Sequence, residues 1–135
     1  MNGPAWRKRL LTLGALLESG AGLVVLIAPV QFASLLLRSP LDQAGIVVGR
    51  IAGGALLSLA IACWRARTTP SAPASIGVCW ALFVYNVVAC VALALASPPL
   101  VSGGMVATGA AVLHGVLALA LVFALLGPER RLASS

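Results

Sequence analysis

Charge is what this sequence has least of. Of 135 residues only 9% are charged, and the acids number three, Glu18, Asp42 and Glu129. A water-soluble domain carries about 25% charged residues, so a soluble globule cannot be covered by this composition. Aromatic residues make up 5%, with a single tyrosine and a single histidine, His114. One histidine excludes a bis-histidine haem. Asp42 and Glu129 fall outside the apolar runs, so no carboxylate–histidine cluster forms for a metal pair, and no cofactor or metal is expected. The three cysteines, Cys63, Cys79 and Cys90, make no C-x-x-C or other metal spacing and read as small apolar packing residues. There is no Gly-rich phosphate loop, no Ser-His-Asp set and no pair of carboxylates, so no motif names a reaction. The nine Lys and Arg residues give a net charge of +6, yet they are scattered at run ends with no basic fold behind them, which argues against nucleic acid as a partner.

What the chain has is apolar length. It is 61% hydrophobic, with a mean hydropathy of +1.07. About 20 apolar residues cross a bilayer as a helix, which satisfies its own backbone polar groups in lipid. Such runs lie at Leu10–Ala28, Ala44–Trp64, Ser75–Ala96 and Gly104–Leu126. Between and after them stand stop and turn signals: Pro29, Ser39-Pro40, Pro70 to Pro73, Ser97-Pro98-Pro99, Gly103 and Gly127-Pro128. Val30–Leu37 is apolar but too short to span, and is expected to lie at the interface. The expectation is one integral membrane domain over residues 1–135, an all-α bundle of four transmembrane helices.

Orientation follows from the loop charges. Arg7, Lys8, Arg9, Arg65, Arg67, Arg130 and Arg131 flank one side of a four-pass topology, and only Arg38 flanks the other. Positive residues collect on the cytoplasmic side, so both termini are expected in the cytoplasm and the protein in the cytoplasmic (inner) membrane. Arg7-Lys8-Arg9 before an apolar run also resembles the start of a signal peptide. Glu18 interrupts that run and no small-x-small cleavage site follows, so a retained helix is expected. Trp6, Trp64 and Trp80 fall near the same face, where indole rings anchor helices.

Each run carries one strongly polar residue near its middle: Glu18, Arg50, Asn86 and His114. At about 1.5 Å of rise per residue, Glu18 and Asn86 lie roughly 12 and 16 Å from one face, and His114 and Arg50 roughly 15 and 9 Å from the other. A core about 30 Å thick brings all four toward one central layer. Small residues share their faces. Gly14 and Gly22 flank Glu18, Gly54, Ser58 and Ala62 follow Arg50, Cys79 and Cys90 accompany Asn86, and alanines surround His114. Gly45, Gly49 and Gly53 form a neighbouring stripe on the second helix. Small residues let membrane helices approach closely, so these faces are expected to turn inward, or toward a second copy or a larger membrane complex.

The plainest reading of the layer is structural, with Glu18 and Arg50 as a buried ion pair that sets helix register and Asn86 and His114 as hydrogen-bonding packers. The functional reading makes Glu18, alone or with His114, a proton carrier or a ligand contact. Replacing Glu18 alone does not separate the two, because breaking a buried pair is itself costly.

The stretch Arg50-Ile51-Ala52-Gly53-Gly54-Ala55-Leu56-Leu57, running to Trp64-Arg65-Ala66-Arg67, with Tyr85-Asn86 and His114 on later helices, resembles small bacterial four-helix membrane proteins of the DoxX-like group. That resemblance implies a four-helix bundle and an accessory partnership with membrane redox enzymes. The placement of Glu18 in the first helix is similar to that of the acid in small multidrug-resistance exporters, which implies proton exchange for a cationic substrate. The sequence as a whole points to a non-enzymatic accessory or interaction protein whose polar layer fixes packing. A small proton-coupled transporter using Glu18 is one alternative. A membrane enzyme acting on a lipid or quinone, with Glu18 and His114 as acid and base, is the other, and it requires a cavity beside the polar layer.

Overall fold

A computed structural model describes residues 3–96 and 104–127. The expected breaks at Ser97-Pro98-Pro99 and Gly103, and the basic Arg130 and Arg131, lie outside the described residues. Five helices follow one another: α1 (Gly3–Ile27), α2 (Pro29–Leu37), α3 (Gln43–Ala66), α4 (Pro73–Ala96) and α5 (Met105–Leu126). No strand occurs among the described residues. All but α2 are long and apolar enough to cross a bilayer. The chain is an all-α bundle with four membrane-spanning helices, a multi-pass membrane protein.

Helix ends follow local chemistry. α1 begins at Gly3 rather than at Leu10, because the basic segment Arg7-Lys8-Arg9 has good helix propensity and simply extends the span toward water. α1 ends at Ile27, ahead of Pro29, as expected. Pro29 occupies the first turn of α2, where its missing N–H has no intrahelical role. Arg38 closes α2 in the left-handed conformation, with φ of 52°. Asp42 caps α3, its Oδ1 accepting from the Gly45 amide at 2.7 Å, which satisfies one of the free donors of the first turn. At the other end of α3 the Ser75 hydroxyl donates to the Ala66 carbonyl at 3.0 Å, fastening the turn into α4.

The bundle is two helix pairs laid side by side. α1 packs along α3, α4 packs along α5, and the two pairs touch each other more sparsely. Glycine makes the first seam. A Cβ on Gly53 would stand 2.5 Å from the Leu26 backbone nitrogen, and one on Gly22 would stand 2.9 Å from the Gly53 carbonyl oxygen. The two backbones therefore approach closer than any side chain allows. Gly49 faces Pro29, whose Cβ would be 3.1 Å from an added methyl, while Gly45 faces its own capping turn at Leu41 and Asp42. The expected stripe thus divides: Gly53 serves α1, Gly49 serves the start of α2, and Gly45 serves the cap. Gly14 meets Leu82 of α4 across the bundle.

Packing is uneven along the axis. Leu10, Leu11 and Ala15 from the start of α1 meet Cys63 and Ala66 from the end of α3, Cys79 and Leu82 from the start of α4, and Leu121, Ala124 and Leu125 from the end of α5. These all lie at one end of the bundle. Leu11, Cys63 and Cys79 have no exposure at all. Arg7 locks this end: its Nε donates to the Pro70 carbonyl at 3.1 Å and its Nη1 to the Ala124 carbonyl at 3.2 Å. The start of α1, the α3–α4 turn and the end of α5 therefore share one face. Outward, Leu16, Val48, Ile51, Ile61, Val88, Leu119 and Phe123 are more than half exposed, an apolar belt suited to acyl chains rather than water.

Candidate functional site

The opposite half of the bundle is not filled. Past Glu18 the helix pairs leave a cavity of about 620 Å³, within the roughly 300–1,000 Å³ typical of small-molecule sites. Its walls come from the second half of α1 (Leu17, Ala21, Val25), the middle of α3 (Ala52, Ala55, Leu56, Leu59), the second half of α4 (Ala89, Leu93) and the first half of α5 (Ala110, Leu113). Alanine does here the reverse of what leucine does at the packed end, because its short side chain leaves room between the helices. α2 lies across this half and contributes Phe32 and Leu36, one turn apart on the helix face that also buries Pro29 and Ala33. Ala52, Ala55 and Leu113 line the cavity yet remain exposed, so it communicates with the exterior.

Among the described residues only three that line it are polar or ionisable: Glu18, Tyr85 and His114. They sit where the packed half gives way to the open half. The Glu18 side chain is 2% exposed, and the Tyr85 hydroxyl stands beside its carboxyl. The rings of Tyr85 and His114 meet edge to face, with centroids 5.6 Å apart, a favourable arrangement for aromatic quadrupoles. Behind His114 lies Asn86, fully buried, whose Oδ1 is 2.8 Å from His114 Nδ1. The Asn86 Nδ2 donates to the Leu82 carbonyl at 2.8 Å.

The structure brings together three of the four polar residues singled out in the sequence. Arg50 does not join them, and this corrects the expected layer. It is exposed, and no ion pair links it to Glu18 among the described residues. The reason is rotational. At about 100° per residue, Arg50 stands roughly 180° around α3 from the cavity-lining Leu59. Gly54, expected to pack, has nothing within 4 Å of an added Cβ, and Ser58 turns back to the Gly54 carbonyl at 3.0 Å. The face Arg50–Gly54–Ser58 therefore looks outward, and the neighbouring face through Gly53, Leu56 and Ala60 looks inward.

Tyr85 lines the cavity, a placement that the sequence reading, which set it only beside Asn86, did not assign. Its signal was present, as the single tyrosine of the chain directly preceding the buried Asn86. Phe32 and Leu36 were passed over too, because an apolar segment of that length reads equally as an interfacial helix with no cavity beneath it. No group of three or more His, Cys, Asp and Glu side chains is placed to hold a metal ion among the described residues.

Comparison with protein-family models, with curated proteins and with solved structures returned no match. The chemistry of the cavity therefore carries the functional argument by itself.

Proposed function

We propose that this chain is a cytoplasmic-membrane protein that binds an amphiphilic small molecule inside the bilayer, its apolar body among the alanines and leucines of the open half and its polar head at Glu18, Tyr85 and His114. One observation carries this reading: a cavity of about 620 Å³ whose lining is apolar except for one small polar cluster. A few convergent polar groups in an apolar cavity are the usual form of a site that orients a ligand. The polar residues do not act as a packing device built on an ion pair, because Glu18 has no cationic partner among the described residues. The basic residues Arg7, Lys8, Arg9, Arg65 and Arg67 at the packed end support setting that end at the cytoplasmic face.

The test is native mass spectrometry of the purified protein with dodecyl methyl ether, a straight apolar probe. A single bound probe is expected on the unaltered chain. Filling the cavity with Ala89→Phe or Ala21→Phe should abolish the adduct while circular dichroism and thermal unfolding stay close to those of the unaltered chain. An adduct that survives both substitutions would overturn the reading.

A second reading, proton-coupled carriage of the bound molecule, draws support from Glu18 itself. A carboxyl held inside the bilayer without a cation is a natural site for a proton to come and go.

A further inference from the structure

The donors and acceptors around the cavity floor do not balance. The Leu82 carbonyl only accepts, so the Asn86 atom facing it at 2.8 Å is the amide nitrogen. The other end of that amide is then an oxygen, which also only accepts. The His114 Nδ1 lying 2.8 Å from it must therefore carry the ring proton. In a neutral imidazole the second nitrogen is then bare. That nitrogen, Nε2, has no hydrogen-bond partner among the described residues, and His114 lines the cavity. The Tyr85 hydroxyl stands beside Glu18. One amide hydrogen of Asn86 is thus held by Leu82 and the ring proton of His114 by Asn86, and the lone pair of Nε2 is left without a protein donor on a residue that lines the cavity.

We propose that His114 is the head-group anchor of the cavity and that it selects amphiphiles whose head is a hydroxyl group, an alcohol or a phenol. The inference rests on the cavity-binding reading above and deepens it. A hydroxyl satisfies the floor whichever form Glu18 takes. It donates to His114 Nε2, and its own oxygen accepts from a protonated Glu18. Beside an ionised Glu18, its proton has two acceptors to choose between. A head with acceptors alone, such as an ether, an ester or a quinone carbonyl, leaves Nε2 without a donor, and an unmade hydrogen bond in an apolar site is costly. A carboxylate head offers no donor to Nε2 and, beside an ionised Glu18, meets a second acceptor of like charge. Asn86 touches no ligand in this scheme. It is a positioning residue that holds the proton on Nδ1 and so keeps Nε2 open.

Because His114 is the single histidine of the chain, selective nitrogen-15 labelling of histidine reads its two ring nitrogens without ambiguity. In lipid nanodiscs the expected spectrum shows one protonated nitrogen, Nδ1, and one bare nitrogen, Nε2. Addition of 1-dodecanol should shift the bare resonance, and dodecyl methyl ether should leave it in place. In native mass spectrometry the alcohol should outcompete the ether by about three- to tenfold, the ratio one net hydrogen bond supplies. His114→Phe should bring that ratio close to one while both probes still bind. Asn86→Leu should mix the two ring tautomers in the spectrum and lower the same ratio, and if that variant fails to fold, the tautomer read in the unaltered protein still decides the matter. A proton found on Nε2, equal binding of alcohol and ether, or a preference for dodecylamine over dodecanol would each overturn the hydroxyl assignment and leave the cavity-binding reading standing. Failure of all three probes to bind would overturn both.

Discussion

Arg7 and Ala124, at opposite ends of the sequence, are joined by a hydrogen bond of 3.2 Å from the guanidinium to the backbone carbonyl. The acceptor belongs to the last turn of α5, where carbonyls lack helical partners and carry the negative end of the helix dipole. A second nitrogen of the same side chain reaches the Pro70 carbonyl at 3.1 Å. One fork thus ties the first helix to the turn between the pairs and to the end of the chain's last span.

Replacing Arg7 should loosen the packed end before anything else. Arg7→Met is expected to cost about 1.5–3 kcal/mol, the value of a charge-assisted hydrogen bond to backbone. Arg7→Lys should recover only part of it, because an ammonium lacks the fork needed to reach two carbonyls. Thermal unfolding in detergent measures the loss, and equal stability of all three proteins would sink the clamp.

The glycines form a graded series. Gly53→Ala pushes a methyl against the α1 backbone, which cannot move aside, and should cost about 1–3 kcal/mol. Gly14→Ala meets the Leu82 Cδ2 at 2.7 Å, a flexible side-chain end, and should cost less. Gly54→Ala meets nothing and should be neutral or slightly stabilising through helix propensity. The order of unfolding temperatures, Gly54→Ala highest and Gly53→Ala lowest, is the readout, and a reversed order would contradict the seam between α1 and α3.

Glu18 and Arg50 should behave as strangers. A double-mutant cycle with Glu18→Gln and Arg50→Met is expected to give a coupling below about 0.5 kcal/mol, the usual limit for residues without shared partners. A buried pair would show far more, since removal of one member strands the other. Coupling of several kcal/mol would restore the ion pair and undo the outward placement of Arg50.

Leucine truncation should map the taper. Leu121→Ala, in the packed half at 1% exposure, is expected to cost about 2–5 kcal/mol. Leu93→Ala, on the cavity wall, already faces empty space and should cost under about 1 kcal/mol. Similar penalties at the two sites would mean that the open half is filled.

How much of this was written in the sequence depends on which physical quantity is asked for. Span number and position follow from run length, and the helices α3, α4 and α5 fall within a few residues of the runs at Ala44, Ser75 and Gly104. Depth follows from a constant rise per residue, which is why Glu18, Asn86 and His114 could be set in one layer by counting alone. Rotation does not follow. α3 carries two adjacent stripes of small residues, one through Gly49 and Gly53 and one through Arg50, Gly54 and Ser58, and nothing in their composition says which faces the protein. The choice is made by α1, whose Gly22 and Leu26 fit against Gly53. The cavity was less legible still. It arises from alanines on four helices whose void opens only once the helix pairs are set, and from the fold of α2 across it. Tyr85 joins the site because it precedes Asn86 on a helix turned so that both reach inward, a relation that needs the rotation of α4.

The uneven filling of the bundle limits traffic. The compartment is closed at one end by the buried Leu11, Cys63, Cys79 and Leu121 and open only toward the other half. On the binding reading proposed above, an occupant would have to depart before a successor entered, so exchange would be one-for-one. Passage from one leaflet's side to the other would demand that the sealed floor part and the Arg7 tether let go, a movement that crosslinking α1 to α5 at that end would arrest.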